Sequence, residues 1–268
     1  MQGVSCPLLY RQGMARYEVE APIGAGYYAD VFRVVDRETG TRYAAKVYGP
    51  GAARRAAAAR EVEALARLAH PRVPALREAF DEGDWRVVVM ELVPGPNLRA
   101  LVEARGPLPI ERVRRIGIEA CQALGHIGAQ GWTYRDLHPK NLHPETPKGT
   151  MLLDFDGARP PGWPARPSGR IGYRAPELGA GRGVSAACDV YSLAGCLFFA
   201  LTGEDADCLE RRASSVPRRG LFAVLEACRR AEPAARPTTD DLAALLAAAE
   251  VHIRAGEWSA NGLSVDRR

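Results

Sequence analysis

Three residues carry the chemistry that can be read in this chain: Asp136, Asn141 five positions later, and Asp154 after a short apolar stretch that reads as a strand. Phosphoryl transfer from a nucleotide needs groups of these types. One carboxylate orients the attacking hydroxyl, while an amide oxygen and a second carboxylate hold the magnesium ions that neutralise phosphate oxygens. Taken singly, an Asp in a loop is usually a cap or turn residue. Set within Tyr134-Arg135-Asp136-Leu137-His138-Pro139-Lys140-Asn141 and Leu153-Asp154-Phe155-Asp156-Gly157, the three together are a far more specific signal. Upstream, Gly24 and Gly26 lie between two expected strands, where glycine lets a backbone bring its N–H groups close to phosphate. Alone, such a pair reads equally well as a turn. Lys46 closes the run Tyr43-Ala44-Ala45-Lys46, a position where a lysine is commonly an edge or snorkelling residue.

Those groups need elements to hold them. Residues Tyr17 to Tyr48 alternate apolar and polar with glycine breaks, as three antiparallel strands do. Ala52 to Leu68 has Val62, Leu65 and Leu68 at helical spacing, and His70-Pro71 ends it. Val73 to Phe80 and Trp85 to Leu92 read as two more strands. After the break at Pro94-Gly95-Pro96, helices are predicted over Leu98–Glu103, Ile110–Gln130, Ser185–Leu201, Leu221–Arg230 and Asp240–Ala255. The expected organisation is an extension over 1–16, a small β-rich lobe over 17–93, a larger helical lobe over 94–255 and a tail over 256–268.

The bulk numbers exclude several classes. With 268 residues, 47% apolar and 25% charged, the composition suits a soluble enzyme. A formal charge of +4, with no compact basic run interleaved with aromatics, argues against nucleic acid as a partner. Six cysteines without CxxC spacing read as buried reduced thiols of a cytoplasmic protein rather than disulfides or a zinc site. No signal-peptide pattern is expected over Met1 to Arg16, and the apolar run Val190 to Leu201 is too short for a membrane span. The bias towards Ala, Arg, Gly and Pro suits a GC-rich bacterial genome.

In these motifs and their order, the chain resembles the protein-kinase superfamily, and within it the bacterial Hanks-type Ser/Thr kinases, from about Tyr17 to about Ala249. The resemblance implies an α+β, bilobal fold using ATP and Mg²⁺. It implies Asp136 as the catalytic carboxylate, Asn141 and Asp154 as metal ligands, and Gly24, Gly26, Val31 and Ala44 around the nucleotide. Lys46 matches the lysine that grips the α- and β-phosphates. Its expected partner is Glu61, four before Leu65 on the inward helix face; Glu63, the alternative, points about 160° away. Met90, Glu91 and Val93 match the hinge at the adenine, and Asn97 is placed near the ribose. Glu177, in Ala175-Pro176-Glu177, is expected to pair with Arg236, and Asp189 to anchor the loop of Asp136.

Four positions depart from the family pattern. His138 stands where Ser/Thr kinases usually carry Lys, and Arg170 stands where that Lys would meet a Thr. Lys140 is then the cation expected at the γ-phosphate, against the reading that it is a solvent-facing loop residue. Asp156 replaces the Gly of the metal-binding triplet, and His143 replaces an apolar side chain below the adenine. The Asp-Leu-His-Pro-x-Asn and Asp-Phe-Asp runs resemble small-molecule and sugar phosphotransferases. A Ser/Thr protein kinase with an unidentified protein substrate is the leading expectation. A small-molecule kinase and a pseudokinase scaffold remain the alternatives. Regulation through the activation segment is expected to be weak, with Ser168 its sole plausible phosphosite.

Overall fold

The computed structural model describes residues 16–160, 163, 169–180, 184–208 and 220–248. Expectations that rest on Cys6, Ser168, residues 1–15 of the 1–16 extension, the end of the last helix and the 256–268 tail lie outside the described residues. The chain divides into two compact units. The first runs to Pro94 and takes in Asp154–Ala158; the second comprises Gly95–Leu153 and the residues from Arg159 onward.

Alternation builds the first unit. Strands β1 (Tyr17–Ala25), β2 (Ala29–Asp36), β3 (Arg42–Tyr48), β4 (Leu76–Glu82) and β5 (Trp85–Glu91) form one antiparallel sheet in the order β1-β2-β3-β5-β4. Successive side chains on a strand point to opposite faces. Phe32, Val34, Ala45, Val47, Val87 and Val89 accordingly collect on one face with Tyr17 as an apolar core. The register pairs Val31 with Lys46, Lys46 with Val88 and Ala44 with Met90, so these residues share the other face. Helix α1 (Ala52–Arg67) buries Ala57, Ala58, Glu61, Ala64 and Leu65, a stripe at i, i+4 spacing that carries Glu61 inward.

The second unit is mainly helical: α2 (Leu98–Arg105), α3 (Ile110–Ala129), α4 (Pro176–Ala180), α5 (Ala187–Thr202), α6 (Gly220–Cys228) and α7 (Thr239–Ala248). Helix α5 is buried almost all round, as expected of a core helix, and Gly203 ends it in the left-handed region at φ 75°. Among the described residues, no helix is long and apolar enough to cross a membrane.

Two elements were not foreseen. Strand β6 (Leu142–Thr146) pairs with β7 (Gly149–Leu152) and runs through Pro144, a residue that reads from sequence as a break. The five-residue α4 is too short to show a period. The described cysteines, Cys121, Cys188, Cys196, Cys208 and Cys228, are all free thiols.

Candidate active site

The first unit assembles a buried charged cluster. Lys46 Nζ donates to both carboxylate oxygens of Glu61, at 3.0 and 2.8 Å, and to Asp154 Oδ1 at 2.8 Å. Glu61 is 1% exposed and also accepts from the Tyr48 hydroxyl and from the Phe155 N–H at 3.1 Å. A carboxylate removed from water needs such partners. Burial alone would depress the Lys46 pKa, but the facing Glu61 and Asp154 carboxylates outweigh it and hold it well above the ordinary value. Burial pushes Asp154 the other way, and the charge and hydrogen bond of Lys46 bring its pKa below the usual carboxylate value. Asp154 has φ 65°, a left-handed conformation rare for a side-chain-bearing residue and sustained here by these bonds. Of the two candidates on α1, Glu61 is the residue that meets Lys46; Glu63 faces Arg67 at the surface instead.

The other nucleotide-pocket expectations divide along the sheet. Gly26 N–H donates to the Ala29 carbonyl at 2.8 Å, and a Cβ on Gly26 would meet that oxygen at 3.1 Å, so the turn is built for glycine. Gly24 pairs with Val31 across β1 and β2. Ala44 and Met90, each 8% exposed, line up with Lys46 on its face. The Glu91 N–H is taken by the Ala75 carbonyl at 2.9 Å, and Val93 is buried.

The second unit holds the loop of Asp136. The buried Asp189 carboxylate accepts from the backbone N–H of Tyr134 at 2.8 Å and of Arg135 at 2.7 Å. Burial pushes its pKa up to about 6, against the pull of those two bonds. Arg135 is pinned at φ 70° and its Nε donates to Thr133 Oγ1 at 3.1 Å. Asn141 Nδ2 donates to the Asp136 carbonyl at 2.9 Å, which fixes the amide so that its oxygen remains an acceptor. The Leu153 N–H donates to the Asn141 carbonyl at 2.9 Å, and the Tyr134 hydroxyl donates to the Leu153 carbonyl. The residue just before Asp154 is thereby tied to the same loop.

His138 Nε2 lies 4.0 Å from Asp136 Oδ1, and its Nδ1 accepts from the Lys140 N–H at 3.2 Å. The Lys140 side chain is exposed. His143 pairs with Met151 across β6 and β7, and burial depresses its pKa to about 4, so it is neutral at physiological pH. Asn97, placed near the ribose from sequence, is the N-cap of α2 and accepts from the Ala100 N–H at 2.9 Å. An Asn directly before an apolar helical run signals that role.

At the end of the activation segment, Arg236 grips Glu177 with two parallel bonds of 2.6 and 2.8 Å, at side-chain exposures of 0% and 3%. The Tyr173 hydroxyl donates to Asp205 at 2.8 Å, and Asp205 also accepts from Arg99. Tyr48 is the member of the charged cluster that sequence reasoning missed. Its position two residues after Lys46, on the same face of β3, was the available signal.

A sheet-borne lysine on a helix glutamate, together with a carboxylate-clamped loop bearing Asp136 and Asn141, defines a protein-kinase fold. The chain belongs to the protein kinase family: the model of the protein kinase domain matches residues 17–243. Its relatives include the serine/threonine-protein kinase PkaA of Streptomyces coelicolor, 31% identical over 266 residues, spanning 85% of this chain and 49% of that protein. PknB of Mycobacterium leprae is 34% identical over 155 residues, 54% of this chain and 25% of that protein. PknB of Mycobacterium tuberculosis is 30% identical over 204 residues, 70% of this chain and 33% of that protein. The chain thus spans about half the length, or less, of the curated relatives it matches.

Proposed function

We propose that this protein is an ATP- and Mg²⁺-dependent serine/threonine protein kinase of bacterial, cytoplasmic type. The observation that carries the reading is the Lys46–Glu61–Asp154 cluster, which holds an ammonium fully charged in a buried site. The donor set fits the nucleotide and metal. Hard oxygens suit Mg²⁺, and the fixed Asn141 amide oxygen and the Asp154 carboxylate are oxygens of that kind. The bound nucleotide would supply the γ-phosphoryl group, with Mg²⁺ offsetting its charge. Lys46 binds phosphate oxygens through its ammonium. Glu61 keeps that ammonium charged and aimed. Asp136 accepts the hydrogen bond of the incoming hydroxyl, orients its oxygen and takes its proton. Lys140, whose side chain is exposed, is assigned to the γ-phosphate.

A protein acceptor is favoured by the buried Glu177–Arg236 pair, which anchors the end of the segment against which kinases dock peptides. A small-molecule acceptor is the second reading, favoured by His138 lying beside Asp136. Incubating the purified chain with radiolabelled ATP and Mg²⁺, with a generic protein substrate present, tests the proposal. The expected result is phosphoserine or phosphothreonine in the acid hydrolysate. ATP turnover without label on any protein would transfer the assignment to a small-molecule kinase, and no turnover would favour a scaffold.

A further inference from the structure

Glu61 receives more than the family's lysine. Its carboxylate takes the Lys46 ammonium on both oxygens, the Phe155 N–H on one and the Tyr48 hydroxyl on the other. Residues 44, 46 and 48 of β3 point to one face, so the strand that presents Lys46 also presents Tyr48, two residues on. Tyr48 is 0% exposed, and a phenol in such a place needs a hydrogen-bond partner. The Lys46 ammonium also lies 5.6 Å from the centre of its ring.

We infer that Tyr48 is a positioning residue for phosphoryl transfer, a second tether from β3 that holds Glu61, and with it helix α1, in place for Lys46. The inference rests on the kinase reading above. With Lys46 alone, Glu61 is bound to β3 through one flexible side chain. The phenol adds a rigid strut from the same strand, so Glu61 is held from β3 at two points. Burial pushes the phenol pKa far above its ordinary value, so Tyr48 remains a donor throughout the working pH range.

Tyr48→Phe removes the hydroxyl and keeps the ring. The expected result is a roughly tenfold fall in kcat/KM for ATP, the scale set by one buried hydrogen bond to a charged group. In the same variant without ligand, the α1 amides should exchange hydrogen faster. In a Glu61→Gln background, adding Tyr48→Phe should change kcat/KM less than twofold, because the group it positions is already lost. Tyr48→Phe within twofold of the unmodified chain in kcat/KM and in α1 exchange would overturn the inference. So would an undiminished loss in the Glu61→Gln background, which marks a structural residue acting elsewhere. If the unmodified chain transfers no phosphate, the kinase reading falls, and α1 exchange in the ligand-free chain still decides the role of Tyr48.

Discussion

Breaking the Glu177–Arg236 pair should unfold the second unit far more readily than any exposed substitution. Besides Glu177, the Arg236 guanidinium donates to the carbonyls of Arg230 at 2.8 Å, Ala187 at 2.9 Å and Ala231 at 3.1 Å. Arg236→Met keeps much of the volume but removes all five bonds and leaves the Glu177 carboxylate buried beside no cation. Removing one partner of a buried pair costs about 3–5 kcal/mol, most of it the penalty of the orphaned charge. In a domain of this size each kcal/mol lowers Tm by roughly 2–4 °C, so the melting point should fall by about 6–20 °C. Urea unfolding followed by circular dichroism reads the loss directly, provided the m-value is unchanged. The control is Arg236→Met with Glu177→Leu, which removes the stranded charge and should recover most of the stability. A single variant destabilised by less than about 1 kcal/mol, or a double variant worse than the single, would refute the reasoning.

Asp154→Ala should lower turnover by about a thousandfold or more while leaving the fold intact, because Lys46 retains both bonds to Glu61; substantial residual activity would sink the kinase assignment. Asp189→Asn should show a pH-dependent defect. The native pKa of Asp189 is raised from 3.8 to about 6. The stability this group adds is therefore fully present below pH 4 and lost as pH rises through 6. The asparagine variant lacks that term, so its deficit in unfolding free energy should shrink by up to about 3 kcal/mol between pH 4 and pH 7; a constant deficit would reverse the assignment. Lys140→Ala should lower kcat more than tenfold, with His138→Ala milder, and steady-state kinetics on both variants gives the comparison. A severe His138→Ala defect beside a near-normal Lys140→Ala would place the phosphate contact on the histidine next to Asp136.

Much of the fold was legible because it repeats. Alternation marked the three strands over Tyr17–Tyr48, and the i, i+4 stripe on α1 selected Glu61 over Glu63. The Glu177–Arg236 pair and the Asp189 clamp were legible for another reason: their motifs lie far apart in the chain, and only a shared fold explains their joint occurrence. Elements without a period were not legible. Pro144 in β6 reads as a break, because proline lacks the N–H a central strand needs; in a two-stranded ribbon one side of the strand has no ladder to serve. The capping role of Asn97 was not read from the sequence, because an Asn before a helix can serve as a cap and face a ligand at once; its Oδ1 takes the Ala100 N–H.

The division between His138 and Lys140 shows where such reading stops in physical terms. On a strand or helix, spacing fixes direction, so Lys46 and Tyr48 necessarily share a face. The segment from Arg135 to Asn141 has no such rule. Its course is set by the left-handed Arg135, by Asp189 holding the Tyr134 and Arg135 N–H groups, and by Asn141 closing back on the Asp136 carbonyl. The Asp189 anchor could be expected from its motif, but the direction each side chain of the loop takes between these bonds follows no spacing rule. Two basic residues two positions apart in this loop therefore take unlike surroundings. One turns its ring towards Asp136 and accepts the other's backbone N–H, while the other's side chain is exposed to solvent. Charge chemistry assigns the phosphate to Lys140 and proximity assigns it to His138. That opposition makes the pair of alanine variants the sharpest available measurement of how this loop works.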